Sequence, residues 1–169
     1  EWLYHMGVPT DIESGAATPA STDDTGVSMQ QPIMTSVAFL SQASAPADPS
    51  NDEDRATATD LRDTLAAHRG ECVGMAANMI GVAKRIIVFQ DKENNRNAIM
   101  FNPRIIAGSD PFDTAEGCLS LDGERPTTRY QSITVTYQAR SGREYTTAFD
   151  GFTAQIIQHE IDHINGIII

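Results

Sequence analysis

The sequence predicts an α+β domain in which mainly antiparallel strands wrap one central helix that carries two histidines and a glutamate inward. Three observations predict it. Residues 153–165, TAQIIQHEIDHIN, repeat apolar and polar side chains at helical spacing. Residues 85–149 hold β-branched and alternating runs separated by Asn-Asn and Ser-Gly turn signals. A second helical pattern precedes them at residues 51–69, so the order is helix, strands, helix.

The C-terminal helix carries the chemistry. Gln155, Gln158, Asp162 and Asn165 recur at steps of three, four and three, which predicts one narrow stripe facing water. Ile157, Ile161 and Ile164 form an apolar stripe, Ile156, His159 and His163 another, and Glu160 projects between them. Gly166 is placed to end the helix. His159 and His163 are four residues apart on one face, so both imidazoles can reach a single divalent ion while Glu160 sits beside the attacking water, the H-E-x-x-H pattern. Two histidines satisfied by core hydrogen bonds are the bland alternative, but a buried glutamate between them is costly unless something ionic offsets its desolvation. A third ligand must come from elsewhere, and Cys118 is the best candidate.

The 169 residues suit one domain with a sizeable core, and 40% apolar content is adequate for it. The net charge of −11 is uneven: residues 1–54 hold nine acids and no Lys or Arg, whereas residues 55–169 hold fourteen acids against twelve bases. No basic stripe suggests binding to nucleic acid. No apolar run has the length of a membrane span and no secretion signal is visible, so a cytoplasmic protein is expected. Cys72 and Cys118 could pair, but a reducing compartment and a nearby metal motif make a disulfide the lesser reading.

Residues 1–28 are rich in Ser, Thr, Gly, Ala and Asp without periodicity and read as a flexible extension, leaving residues 29–169 as a single domain. Ile33, Met34, Val37, Phe39 and Leu40 are the first sustained apolar material, and residues 41–50 read as a linker. Ser50 and Glu53 have capping-box spacing, acids follow in the first turn, and Ala58, Leu61 and Leu65 continue a helix that Gly70 would close near Arg69. A small-residue loop then leads to a strand at 85–89, a turn at Asn94-Asn95, and a strand at 98–101 that Pro103 interrupts. Cys118 lies in a short extended segment. Ile133, Val135 and Tyr137 alternate with Ser132, Thr134 and Thr136, and Ser141-Gly142 turns the chain into a strand at 144–149.

Three segments together resemble the peptide deformylase family, metal hydrolases that remove the formyl group from the N-terminal methionine of new polypeptides. QHEIDH at 158–163 and EGCLS at 116–120 match two of its motifs, and EGCLS is the more diagnostic. The third family motif, G-x-G-L-A-A-x-Q, meets CVGMAANM at 72–79, where Cys72 replaces the first glycine, Met75 the leucine and Met79 the glutamine that helps hold the oxyanion.

The resemblance implies a peptide deformylase-like fold with Cys118, His159 and His163 as ligands of one divalent metal, Fe2+ or Zn2+ with Ni2+ as a replacement. It implies Glu160 as the general base and proton carrier, and the backbone N–H of Leu119 as an oxyanion donor. Arg125 would steady the substrate, and the main chain of Val73 and Gly74 would pair with it. Glu116 reads as a carboxylate orienting the site, by bonds to local backbone or to Arg125, or as an ordinary surface glutamate. Cys72 reads as a small buried residue or as an oxidisable thiol near the metal. The expected substrate is an N-formylated or N-acylated peptide, including nascent chains emerging from the ribosome, with neither nucleic acid nor membrane as a partner. Because Met79 cannot donate, a related deacylase for another acyl group and a catalytically weak metal-binding homologue fit the same residues.

Overall fold

Asn102 shows how the strands are laid out around the core. The computed structural model describes residues 30–169. In it Asn102, with φ +51°, marks a register shift in the long strand β3 (Arg96–Cys118), one residue before Pro103. Its side chain bonds the backbone N–H and C=O of Ala47 and the Gln138 amide, so the predicted interruption is also a point of attachment.

Five antiparallel strands lie in the order β1 (Gly74–Ala76), β2 (Ile86–Asp91), β3, β4 (Leu121–Gln138) and β5 (Glu144–Asp150). Ile86, Ile87, Val88 and Phe89 are all buried, as expected of a continuous apolar strand in the middle of a core. Ile133 and Val135 point inward from β4 with Tyr137 half-buried, which is the predicted wet and dry alternation. Gly142 (φ +86°) closes the β4–β5 turn, and Asn95 (φ +49°) sits in the β2–β3 turn.

Helix α1 (Val37–Leu40), helix α2 (Asp52–Ala67) and helix α3 (Gly151–Ile164) complete the domain, and α3 packs on β1, β2 and β4. The N-cap of α2 is Asn51, whose Oδ1 accepts from the Asp54 N–H at 3.0 Å, rather than the expected Ser50–Glu53 pair. Ser50 is occupied with Asp48 instead. The helix stops at His68, and Gly70 does not take the left-handed conformation expected of it. Gly166 does (φ +75°): its N–H bonds the His163 carbonyl and the Ile167 N–H bonds that of Asp162, the paired arrangement of a glycine-terminated helix.

Further bonds to the carbonyls at that end come from far away in the chain. Asn78 Nδ2 donates to the His163 carbonyl at 2.7 Å, and the Ser44 N–H to that of Ile164 at 2.8 Å. Residues 41–50 are therefore not a free linker, because Ala45 also bridges Lys84 and Ala47 is tied to Asn102. The small-residue loop after α2 contains β1 and a 3-10 turn, Ala77–Ile80, neither of which was expected. The predicted extension at residues 1–28 lies outside the described residues. Among those described, no helix is long and apolar enough to cross a membrane.

Candidate metal centre

Helix α3 brings His159 and His163 together by its own pitch, with ring centroids 4.8 Å apart and Nε2 atoms 3.1 Å apart. Cys118 arrives from the end of β3, where it faces Leu121 across a turn made by Leu119 and Ser120. The Cys118 thiol and the two imidazoles place one ligand atom each within 4.8 Å of one another. Both histidines are buried and Cys118 is partly exposed.

Two imidazole nitrogens 3.1 Å apart must share a proton or a cation between them. Burial lowers the affinity of His159 for a proton, but hydrogen bonds to Cys118 and Glu116 outweigh it and hold its pKa up at about 10. His163 is pushed well below the usual range by burial and by the charge on His159.

Glu116 and Glu160 flank this point, and both are buried. Glu116 is not a surface residue, and although it faces Arg125 across the β3–β4 pairing, its carboxylate bonds other side chains. It accepts from Arg129 Nη2 at 2.6 Å, from Gln155 Nε2 at 2.9 Å and from His159 Nδ1 at 2.9 Å. Burial would raise its pKa, but the bonds from His159 and Arg129 prevail and hold it at about 2. Gln155 and Gln158 are each only 4% exposed, so the polar stripe expected to face water is largely an inner surface. Gln155 bonds Glu116, Gln158 bonds the backbone of Tyr130 on both sides, and Asp162 bonds Arg129 Nη1 at 2.6 Å. Arg129 and Asp162 had no expected role. The signal available was that stripe itself, since four polar side chains on one helical face also suit a face covered by polar partners.

Glu160 has one carboxylate oxygen, Oε2, with no hydrogen-bond partner among the described residues. Burial pushes its pKa up to about 7, the range of a group that can both take and give a proton near neutrality. Gly74 explains its position: a Cβ there would lie 2.7 Å from Ile156 Cγ2 and 3.0 Å from Glu160 Oε1. The glutamate occupies the space a side chain would need.

Gly74 opens β1 and Val73 precedes it; among the described residues β1 pairs only with β2, and the Val73 carbonyl already accepts from the Gln90 N–H. Arg125 is half-buried, and its Nη1 has no partner among the described residues. Met79 is buried and folded back on its own turn, its Sδ accepting from the Ala76 N–H at 3.5 Å. Cys72 is buried, and desolvation with the nearby charge of Glu160 pushes its thiol up to about 12, so it behaves as a small apolar side chain.

A buried H-E-x-x-H helix whose imidazoles converge with a cysteine, beside a glutamate whose Oε2 has no partner among the described residues, defines the class of hydrolases built on that motif. The family model described as Polypeptide deformylase matches residues 29–169, and the chain belongs to this family. It is 49% identical over 141 residues to a peptide deformylase of Clostridium beijerinckii, covering 83% of this chain and all of that one. A peptide deformylase of Desulforudis audaxviator is 41% identical over 113 residues, 66% of this chain and 71% of the relative. The crystal structure of a class I type b peptide deformylase from Acinetobacter baumannii with Met-Ala-Ser bound superposes with a TM-score of 0.73 at 27% identity, covering 82% of this chain and 96% of that one.

Proposed function

We propose that residues 29–169 form one hydrolase domain that removes the formyl group from the N-terminal formyl-methionine of nascent polypeptides, in the cytoplasm where such chains emerge from the ribosome. The observation that carries this is the convergence of Cys118, His159 and His163 beside a buried carboxylate with an oxygen to spare. One sulfur and two imidazole donors suit a single divalent cation, Fe2+ or Zn2+ with Ni2+ as a replacement, and leave room for a fourth ligand. When bound, that cation supplies Lewis acidity for the formyl oxygen and the attacking water. Glu160 takes a proton from the attacking water and delivers it to the leaving amine, which its pKa of about 7 permits in both directions. The Leu119 N–H, in the turn beside Cys118, faces the developing oxyanion. The main chain at Val73 and Gly74, where β1 begins, pairs with the bound peptide, with Arg125 steadying the substrate backbone.

Formate release from formyl-Met peptides by the Fe2+-loaded protein tests the reading, with acetyl and longer N-acyl peptides alongside. Turnover of the formyl peptide is expected, together with loss of bound cation in Cys118→Ser and His163→Ala. No formate from any formyl-Met peptide would overturn the substrate, and wild-type cation content in both variants would overturn the ligands. Met79→Gln sharpens the test. Its Oε1 can take over the Ala76 N–H while Nε2 donates to the oxyanion, so kcat should rise by part of the roughly 10²- to 10³-fold that one such donor is worth, with little change in KM.

A further inference from the structure

The two ligand imidazoles are held in different ways. His163 Nδ1 is buried with no hydrogen-bond partner among the described residues, so apart from its Nε2 contact with His159 that ring is oriented by packing. His159 is held through a chain of polar contacts that ends on Arg129. An ionised carboxylate only accepts, so the 2.9 Å contact between Glu116 and His159 requires the proton on Nδ1 and directs Nε2 to the opposite side. The orientation of Glu116 is set in turn by Arg129, whose Nε lies 3.1 Å from each carboxylate oxygen and whose Nη2 lies 2.6 Å from Oε1. The remaining arm, Nη1, reaches Asp162 on the same helix as the histidines. One guanidinium therefore ties the hairpin of β3 and β4 to α3, with Gln155 closing the last side of the carboxylate.

We infer that Arg129 is a positioning residue of the metal centre, holding Glu116 in the one orientation that points His159 Nε2 at the site shared with Cys118 and His163. A planar fork does this where a point charge cannot. Lysine in its place would neutralise Glu116 but leave the plane of the carboxylate to Gln155 and His159 alone. The inference rests on the ligand set proposed above, and its test separates the two.

The test compares Arg129→Lys, Arg129→Met and Asp162→Asn with the wild type. Co2+ retention is read by competition with a chelator, and exchange of the His159 Nδ1 proton with water is read by NMR on the cation-free protein. Arg129→Lys should melt close to the wild type yet lose Co2+ about 10- to 100-fold more readily, with a faster-exchanging Nδ1 proton. Asp162→Asn, at the more exposed outer end, should show a smaller loss in the same direction, and it carries the test should Arg129→Met fail to fold. Wild-type retention and wild-type exchange in both Arg129→Lys and Asp162→Asn would overturn the inference, because a role in charge neutralisation or folding alone predicts that result. A wild-type protein that does not hold Co2+ would deny the ligand set, and the Nδ1 exchange in the cation-free variants would still decide the role of Arg129.

Discussion

Glu116 and Glu160 stand on either side of His159, both buried, yet one is held at about 2 and the other pushed up to about 7. The difference lies in their surroundings. Strand β4 and helix α3 give Glu116 a guanidinium, an amide and an imidazole. On its other side Glu160 meets Gly74 of β1, beside Ile156 of its own helix, and Oε2 has no partner among the described residues. One carboxylate is thereby made a permanent anion that holds a ring in place. The other is made a proton carrier, and the pair shows how one side chain type serves two purposes in a space of a few ångströms.

The comparison breaks hardest at Glu160. Glu160→Gln keeps the shape and removes the base, so kcat on a formyl-Met peptide should fall by about 10²- to 10⁴-fold while cation content and melting temperature hold. An equal loss of cation would mean that Glu160 is a ligand instead. At the other carboxylate the effect should be on stability. Glu116→Ala takes the buried partner from Arg129 and leaves its guanidinium with the more exposed Asp162, and urea unfolding should show a loss of about 3–5 kcal/mol.

Gly74→Ala probes the space around Glu160. Its methyl would meet Ile156 and Glu160, which should cost about 1–3 kcal/mol and lower kcat further than that stability loss explains, because the displaced group is the base itself. Unchanged activity would show that Glu160 has room to retreat.

The smallest effects are in pH dependence, where the two glutamates have opposite signs. Glu116 is depressed in the folded state, so the stability it contributes is present above its unfolded pKa and lost as pH falls from about 4.5 towards 2. Glu160 is raised, so its contribution is present below about 4.5 and lost as pH rises through about 7. Unfolding free energies of the cation-free protein, measured from pH 3 to 8 against Glu116→Gln and Glu160→Gln, should therefore differ from the wild type in opposite senses in the two windows. A difference of the same sign in both would contradict the division of roles.

Much of this arrangement follows from local sequence. The spacing of His159, Glu160 and His163 is a property of any α-helix, so their common face and the end of the helix at Gly166 were determined before any packing. EGCLS placed Cys118 in the set through resemblance, and Pro103 and Ser141-Gly142 punctuated the strands through their own backbone restrictions. The tertiary structure decided what each face meets. Periodicity reports that Gln155, Gln158 and Asp162 lie together, but whether that surface is wet depends on Glu116, Arg129 and Tyr130, which arrive from distant strands. The same holds for residues 41–50, whose small polar composition reads as a linker until Ile164, Lys84 and Asn102 supply partners for its backbone. A polar group is buried only when its hydrogen bonds are met, and the donors that meet them are settled by the fold of the whole chain.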